Sequence, residues 1–389
     1  MGKAGSGSQT KYYYTVENPA GEVEPTAPEY FPIRFNTASL NRDGSQIVSA
    51  EINPSRQRPP SRRGTYSVAG EMLVEMSAGS FDGLMAAALQ SEWSGGAVLD
   101  STALTFDDSD NSINDPFNRF VDAGFVDADT ITIKGATNGA NNGASTATTV
   151  TAGKIILTGP TIVTEADGNS IIIAEDGDEL IVGSYVPQFT IIEIHDDVSV
   201  TSAYRNCRVN EMGIAAPLNS AAMITFGYIG EKVEGSYSIP VDAVFNAATG
   251  TDMMVTTSGS LLEDAVAINY ATDWNATVSN NMEALFALFQ REAYSVANGV
   301  LTVEGSMSTY LPDDLLLNNY INETEVEHIV ELQDNASTVN FLRFTLPAIN
   351  YTQLDKPVDG QGAIIQNYTL SAGYDETLGT TIKVERGTL

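Results

Sequence analysis

The chain has 389 residues and carries 50 acidic against 19 basic side chains, which gives a formal net charge of −31. At about 100–200 residues per domain, this length predicts two to three domains. The excess of carboxylates argues against a conventional nucleic-acid-binding protein, which holds phosphates with a Lys/Arg surface, and against docking on anionic lipid. A single cysteine, Cys207, excludes an intrachain disulfide framework and a zinc site built from several cysteines.

The first part of the chain predicts an arm followed by a strand-rich domain. Residues 1–30 combine a Gly/Ser start with a Pro/Glu stretch. Because such a segment has little apolar surface to bury, we expect it to be ordered only by lying on something else. Alternation of apolar and polar residues then predicts strands at 45–52 and 65–76. A helix is predicted at 81–93, where Asp82 suits the positive N-terminal end.

Between these two strands lies a basic, proline-rich segment, residues 54–64. Proline has no N–H to donate to a sheet, so the segment is predicted to be an extended loop. It carries four of the nineteen cations of the chain: Arg56, Arg58, Arg62 and Arg63. In so acidic a chain, we expect these arginines to pair with an acidic surface of a neighbouring copy; binding of phosphate or DNA is the alternative.

Residues 101–186 differ in composition from their surroundings and predict an inserted domain. They are rich in Thr, Gly, Asn and Asp, and short strand signals recur, which indicates a small all-β domain of five or six strands. Longer strands return at 188–195 and 221–229. We therefore assign residues 31–100 together with 187–260 to one domain that the insertion interrupts.

The last part of the chain, residues 261–389, repeats the pattern of the first domain. An alternating strand that contains Gly305 is followed by a helix predicted at 312–321, just as a strand that contains Gly70 precedes the helix at 81–93. We interpret this likeness as an internal duplication, which would give a pseudo-symmetric assembly because equivalent edges then meet equivalent partners. Two unrelated α+β segments with similar turn chemistry are the alternative.

Patterns for catalysis or metal binding are weak. His195 ends a predicted strand beside two carboxylates and is interpreted as a strand-end residue, and His328 as a residue of a polar face. Cys207 is flanked by arginines that would lower its thiol pKa, but no general base is suggested, so a packed thiol is favoured. Acidic clusters at 107–110 and 175–179 offer calcium ligands, yet neither fits the EF-hand register and solvated turns are favoured. No catalytic residue, metal or cofactor is predicted.

An ordered set of short segments gives the chain a family resemblance. The set includes Glu51-Ile-Asn-Pro-Ser-Arg-Gln-Arg58, Val68-Ala-Gly-Glu-Met-Leu-Val-Glu-Met76 and Tyr204-Arg-Asn-Cys-Arg-Val-Asn-Glu-Met212. Further members lie at 41–42, 81–89 with Trp93, 189–193, 303–307 with Asp313 and Asp314, 345–349, 359–362 and 372–375. In this order they resemble the major tail tube proteins of long-tailed, siphovirus-type bacteriophages, over nearly the whole chain.

The resemblance implies a mainly β (α+β) fold: a duplicated tail-tube β-sandwich or split-barrel unit with flanking helices, plus the inserted small all-β domain. It implies a structural virion protein of the tail, assembled in the host cytoplasm, whose rings stack into a hollow tube. If the duplication holds, three copies make a ring with pseudo-sixfold symmetry; a ring of six copies is the alternative. The other implied partners are the tail terminator, tape measure and distal tail proteins, with no membrane.

DNA has to pass through such a tube without being held. A bore lined by carboxylates repels phosphates, whereas a Lys/Arg wall would bind them. We therefore expect Glu71, Glu75 and Glu304 to face the lumen, although strand alternation fixes their spacing and not their side. Because arms and loops join the rings in this family, the four arginines and the 1–30 arm are inter-ring contact candidates. A capsid decoration or surface-layer protein and a carbohydrate-binding protein are the alternative functions.

Overall fold

The computed structural model describes residues 5–17, 27–52, 54–55, 57–94, 97–127, 129–158, 162–166, 168, 171–175, 179–334, 337–358 and 360–387. The chain forms two compact units. The larger unit combines Met1–Glu92 with Ile181–Val384, and the smaller combines Trp93–Leu180 with Glu385–Thr388. Strands dominate and only two α-helices occur in the described residues, so the predicted mainly β fold is confirmed.

The secondary structure follows in three stretches of chain. The first stretch holds β1 (Thr10–Val16), β2 (Glu29–Ile33), β3 (Thr37–Ala38), β4 (Asn41–Ile47), β5 (Arg62–Glu75) and α1 (Asp82–Ala88). The second holds β6 (Val98–Ser101), β7 (Thr105–Asp107), β8 (Ser112–Asn114), β9 (Thr130–Lys134), β10 (Gly143–Thr151), β11 (Lys154–Thr158), β12 (Ile171–Glu175) and β13 (Glu179–Ile181). The third holds β14 (Phe189–His195), β15 (Val200–Pro217), β16 (Met223–Gly230), β17 (Lys232–Glu234), β18 (Val244–Phe245), β19 (Gly259–Glu263), β20 (Val266–Ala267), β21 (Ala271–Ser279), β22 (Glu283–Leu285), β23 (Ser295–Ala297), β24 (Thr302–Tyr310), α2 (Leu315–Ile321), β25 (Val326–Asp334), β26 (Ser337–Asp355), β27 (Ile365–Ala372) and β28 (Lys383–Arg386).

Both predicted helices are present but shorter than predicted. The chain leaves α1 after Ala88 because Gln90 has a φ of 53°, a left-handed conformation through which an α-helix does not continue. The apolar side of α1, including Leu84 and Met85, is buried and the helix packs against β15. α2 begins three residues later than predicted, buries Leu316 and packs against β26.

The basic loop before β5 is also shorter than predicted. β5 begins at Arg62, and both Arg62 and Arg63 pair with β4 in an antiparallel ladder, opposite Ile47 and Gln46. The prediction of a loop over 54–64 is therefore wrong for its last three residues. The prolines that prevent strand pairing end at Pro60, so nothing stops the ladder from starting soon after it.

Strands of the larger unit form a continuous antiparallel sheet in the order β5–β16–β15–β21–β24–β27–β26. Successive side chains alternate between its two faces. One face is apolar and buried, with Met72, Phe226, Ile214 and Met307 among its members. This burial fixes the register, because a slip of one residue would turn the whole apolar set toward solvent.

The two ends of this sheet share one strand order. β16 lies between β5 and β15, and β27 lies between β24 and β26, while a helix follows β5 and β24 alike. The register of β15 shifts between Val209 and Glu211, and that of β26 shifts between Tyr351 and Gln353. The two residues that flank the shift in β26 each lie 142 positions after their counterparts in β15 (209 to 351, and 211 to 353). A β-bulge therefore occupies the same place in both long strands.

A second bulge is matched where β15 and β26 pair with the strands that precede them. The register of β14 against β15 shifts between Phe189 and Ile191. The register of β25 against β26 shifts between Val326 and His328. Since bulges are specific features of a strand pair, their recurrence at matching places is a second likeness between the two halves of the larger unit.

The smaller unit is an antiparallel sheet of its own, in the order β6–β12–β9–β10–β11–β8–β7. This sheet has seven strands, where the sequence predicted five or six. Its core includes Leu104, Phe106, Phe120, Ile131 and Ile155, all essentially inaccessible to solvent. The unit thus buries an apolar core without help from the other strands of the chain.

Candidate functional site

The face of the main sheet opposite the core is polar and runs across all seven of its strands. Side chains directly opposite one another in a ladder share a face. One row of such neighbours runs from Glu71 through Gly227 to Glu211 and on to Ser279 and Thr302. Glu71, Glu211 and Thr302 are exposed to solvent. The row is therefore an acidic and hydroxyl-bearing surface.

The neighbouring rows continue this surface. Glu304 lies opposite Thr277 of β21 and Ser371 of β27 and is exposed. Glu75, in the next row on β5, is half-buried, and its Oε1 accepts a hydrogen bond from Asn36 Nδ2 at 3.0 Å. The remaining positions are mostly small or hydroxyl-bearing, which leaves the carboxylates as the dominant charges on this face.

Among the described residues, this face carries no cation that would balance its carboxylates. Between the row that contains Glu71 and the row that contains Glu75, the ladder positions of this face carry no Lys or Arg in any of the seven strands. Among the described residues, no ion pair engages Glu71, Glu211 or Glu304. The charges therefore add to one negative field on that side of the sheet, rather than cancelling in local pairs.

The structure brings the three predicted acidic residues, Glu71, Glu75 and Glu304, onto one face. That they line a lumen stays a prediction. Two further carboxylates of the same face, Glu211 and Asp273, were not singled out from the sequence. Their signal was present: each lies at an alternate position of a strand, but only the pairing of β15 with β21 shows that they share a face with the other three.

The predicted inter-ring arginines lie at the end of the β4–β5 pair. Arg58 is exposed in the loop, and Arg62 and Arg63 are exposed at the start of β5. Arg56 lies outside the described residues. Since each described side chain points to solvent, this end of the sheet has cations available for an acidic partner, and their contact with another ring stays a prediction.

His328 is fully buried, and its interpretation as a residue of a polar face is therefore wrong. Its Nδ1 accepts a hydrogen bond from Trp274 Nε1 at 3.4 Å, so its Nε2 carries the proton and donates to the Tyr351 hydroxyl at 2.9 Å. That hydroxyl donates to Glu263 Oε2 at 2.5 Å, and Asn319 of α2 donates to Glu263 Oε1 at 2.6 Å. The histidine is thus one member of a buried network that joins four strands to α2.

His195 and Cys207 also have structural surroundings. His195 Nδ1 lies 2.9 Å from Thr10 Oγ1, and its Nε2 lies 3.0 Å from Glu193 Oε1. Cys207 is fully buried, and burial, followed by the nearby charges of Glu17 and Glu231, raises the pKa of its thiol well above the usual value. A thiol held protonated and away from solvent is not a nucleophile, so the predicted packed cysteine is confirmed.

The two acidic clusters, for which solvated turns were favoured over calcium sites, are engaged by protein groups where they are described. Asp107 accepts hydrogen bonds from Ser109, which lower the pKa of its carboxyl group, and Asp110 lies 2.6 Å from Lys154 Nζ. Residues 176–178 of the second cluster lie outside the described residues. In the part of the chain that the structure covers, no group of three or more His, Cys, Asp or Glu side chains could hold a metal ion.

Comparison with known proteins shows which family the chain matches. Within the described ranges, no helix is both long and apolar enough to cross a membrane. No curated protein matches the chain. The family model described as phage tail tube protein matches residues 7–372, which is nearly the whole chain and includes both the main sheet and the inserted unit. The chain therefore belongs to the phage tail tube protein family and is a structural component of the virion tail.

Proposed function

We propose that copies of this chain assemble into rings that stack into a hollow tube, with the polar face of the main sheet lining the bore. The observation that carries the proposal is a continuous sheet face whose carboxylates have no ion-pair partner in the part of the chain that the structure describes. Duplex DNA carries about one negative charge per 1.7 Å of its axis, so a Lys/Arg wall would hold it through counterion release. A carboxylate wall repels the same phosphates and leaves a hydrated gap through which DNA can slide.

Three copies per ring are proposed, with each copy supplying two tube repeats. The first repeat spans residues 31–100 and 187–260, and the second spans 261–389. The shared strand order and the matched bulges support two repeats of one ancestral unit. Six repeats then surround the bore, which gives pseudo-sixfold symmetry to a threefold ring. A ring of six copies is the alternative.

Electron cryo-microscopy of the purified chain tests both statements. We expect stacked rings with a central bore and three subunits per ring, with the β5–β26 sheet as the inner wall. Six subunits per ring would contradict the duplication-based count while leaving the tube intact. Flat arrays or monomers would contradict the tube itself and would favour a decoration or surface-layer role.

Contacts between rings are proposed to come from the arm at 1–30 and from the arginines in the loop before β5 and at the start of β5. We expect the triple variant Arg58→Ala, Arg62→Ala, Arg63→Ala to give discrete rings, because it removes the cations available to an acidic surface of the next ring. Negative-stain microscopy and sedimentation measure tube length. Arg291→Ala, another exposed cation, is the control and should leave tubes unchanged. Tubes of normal length from the triple variant would remove this role.

The remaining partners follow from a tail of finite length. We propose that the tube ends on a tail terminator protein and a distal tail protein, and that a tape measure protein occupies the bore during assembly in the host cytoplasm. An acidic bore attracts a strongly basic protein and would retain it. We therefore expect an occupant that leaves the bore as readily as DNA does not to be strongly basic. Co-sedimentation of the purified tubes with each tail protein would test these contacts.

A further inference from the structure

One strand pairing inside the chain joins the two halves of the main sheet. Downstream of its bulge, β15 pairs with β16 on one side and with β21 on the other, so that Glu211 lies opposite Ser279. The matching part of β26, from Gln353 to Asp355, pairs with β27. β28 follows β27 and pairs with β26. In the first half, β17 likewise follows β16 and pairs with β15, at Ala203–Arg205 upstream of the bulge. The described chain therefore offers β26 no counterpart of β21.

At the opposite end of the sheet, β3 and β4 form the edge that would complement β26. Among the described residues, β3 and β4 pair with β5 and with no other strand. They stand beside β5 as β21 stands beside β24, and β21 uses its other edge to meet β15. Asn41, Asp43 and Gly44 are exposed along β4. A strand edge of this kind presents unpaired N–H and C=O groups, which favour addition of another strand.

We propose that β26 of one copy pairs with β3 and β4 of a second copy, in the register that β15 and β21 show within the chain. The inference rests on the proposed function, because the partner is the next subunit of the same ring. Pairing of all such edges closes the sheet on itself, and closure leaves no free edge in the ring.

Two glycines fix how the strands of the two halves correspond. A Cβ atom on Gly70 would collide with the Ser39 carbonyl oxygen and the Leu40 backbone, and a Cβ atom on Gly305 would collide with the Asn275 carbonyl oxygen, close to the Cα atom of Ala276. In each half, the glycine lets the preceding strand approach β5 or β24 closely at one point. Leu40 and Ala276 are therefore equivalent positions on β3–β4 and on β21.

The expected register between copies follows from these equivalences. Asp43 lies three residues after Leu40, as Ser279 lies three residues after Ala276. Gln353 lies just after the bulge of β26, as Glu211 lies just after the bulge of β15. Because Glu211 lies opposite Ser279, we expect Gln353 of one copy to lie opposite Asp43 of the next. Both of these side chains are exposed in the isolated chain, as residues at an unmade junction would be.

A disulfide between the two edges tests this register. In the variant Asp43→Cys with Gln353→Cys, oxidation of assembled tubes should link neighbouring copies, because opposed residues of paired strands lie within the Cα separation of about 4.4–6.8 Å that a disulfide needs. Non-reducing electrophoresis should then show dimers and trimers of the chain and nothing larger. The native Cys207 is fully buried and does not compete.

Two further variants calibrate the result. Glu211→Cys with Ser279→Cys places the same pair inside the chain and should give an intrachain disulfide that never raises the apparent mass. Asn41→Cys with Gln353→Cys shifts the register by two residues within the regular part of the β4 ladder, to a diagonal separation of about 7–8 Å, and should cross-link roughly tenfold less. Tubes that form but cross-link through the shifted pair, or through neither pair, would overturn the register while leaving the proposed function standing. Absence of rings and tubes from the unmodified chain would instead overturn the proposed function.

Discussion

Reversing Glu71, Glu211 and Glu304 to lysine is expected to give the proposed tube a salt-dependent affinity for duplex DNA. The three carboxylates share the polar face of the main sheet and have no ion-pair partner among the described residues. Each lysine that contacts a phosphate adds about 0.9 to the steepness with which log affinity falls against log salt. For 6–10 phosphate contacts along a tube, we expect affinity to fall about 10³–10⁵-fold between 50 and 200 mM salt.

Binding of duplex DNA to assembled tubes at several salt concentrations measures this effect, and genome ejection from virions that carry the variant measures its consequence. The matched control is Glu323→Lys with Glu325→Lys and Glu376→Lys, three exposed glutamates outside the rows of the polar face. It changes the net charge equally and should leave ejection unchanged. If the first variant ejects its genome normally, repulsion by the bore is not what keeps DNA free.

Replacing Tyr351 by phenylalanine is expected to lower the free energy of unfolding by about 1–3 kcal/mol, because it strands polar partners in a buried site. The Tyr351 hydroxyl links His328 Nε2 to Glu263 Oε2, and both partners are almost inaccessible to solvent. Urea unfolding followed by tryptophan fluorescence, in a Trp93→Phe background so that only Trp274 reports, measures the loss; Trp274 donates to the same histidine. Tyr294→Phe, at an exposed tyrosine, is the control and should change stability little.

The same network predicts how stability depends on pH. Burial alone would raise the pKa of Glu263, but the nearby His328 ring and hydrogen bonds from Tyr351 and Asn319 outweigh it, and the pKa is lowered. A carboxyl group whose pKa is lower in the folded state contributes stability above its unfolded pKa of about 4.3 and loses it as the pH falls through the folded value. Tyr351→Phe should therefore lose less stability than the unmodified chain between neutral pH and acid. An unchanged pH slope would show that Glu263 is not stabilised through the tyrosine.

The spacing of the acidic residues could be read from the sequence, but their common surface could not. Glu71, Glu75 and Glu304 stand at alternate strand positions, which local alternation reveals. The side to which they point is decided by their sequence neighbours Met72 and Val303, which point to the other face of the sheet. These neighbours enter a core built from strands far apart in the chain. Glu211 was missed for the same reason, because its neighbours on the face come from β5, β21 and β24.

Two local errors have different physical causes. His328 was read as polar because glutamates surround it, yet alternation places it with Val326 and Val330, and all three are buried. A histidine can join that set only because Trp274 and Tyr351 satisfy its ring nitrogens, and these partners lie on other strands. The helix predicted over 81–93 stops early because of one backbone conformation, at Gln90, which composition does not reveal.

The long strands β15 and β26 have a mechanical consequence. Over its first half β15 is bonded to β14, and over its second half to β16 and β21. β26 is bonded first to β25 and then to β27. Two groups of strands thus share the covalent backbones of β15 and β26. One group therefore cannot slide past the other by exchanging hydrogen bonds alone. A load applied to either group is shared through main-chain bonds, so the main sheet resists shear as one unit.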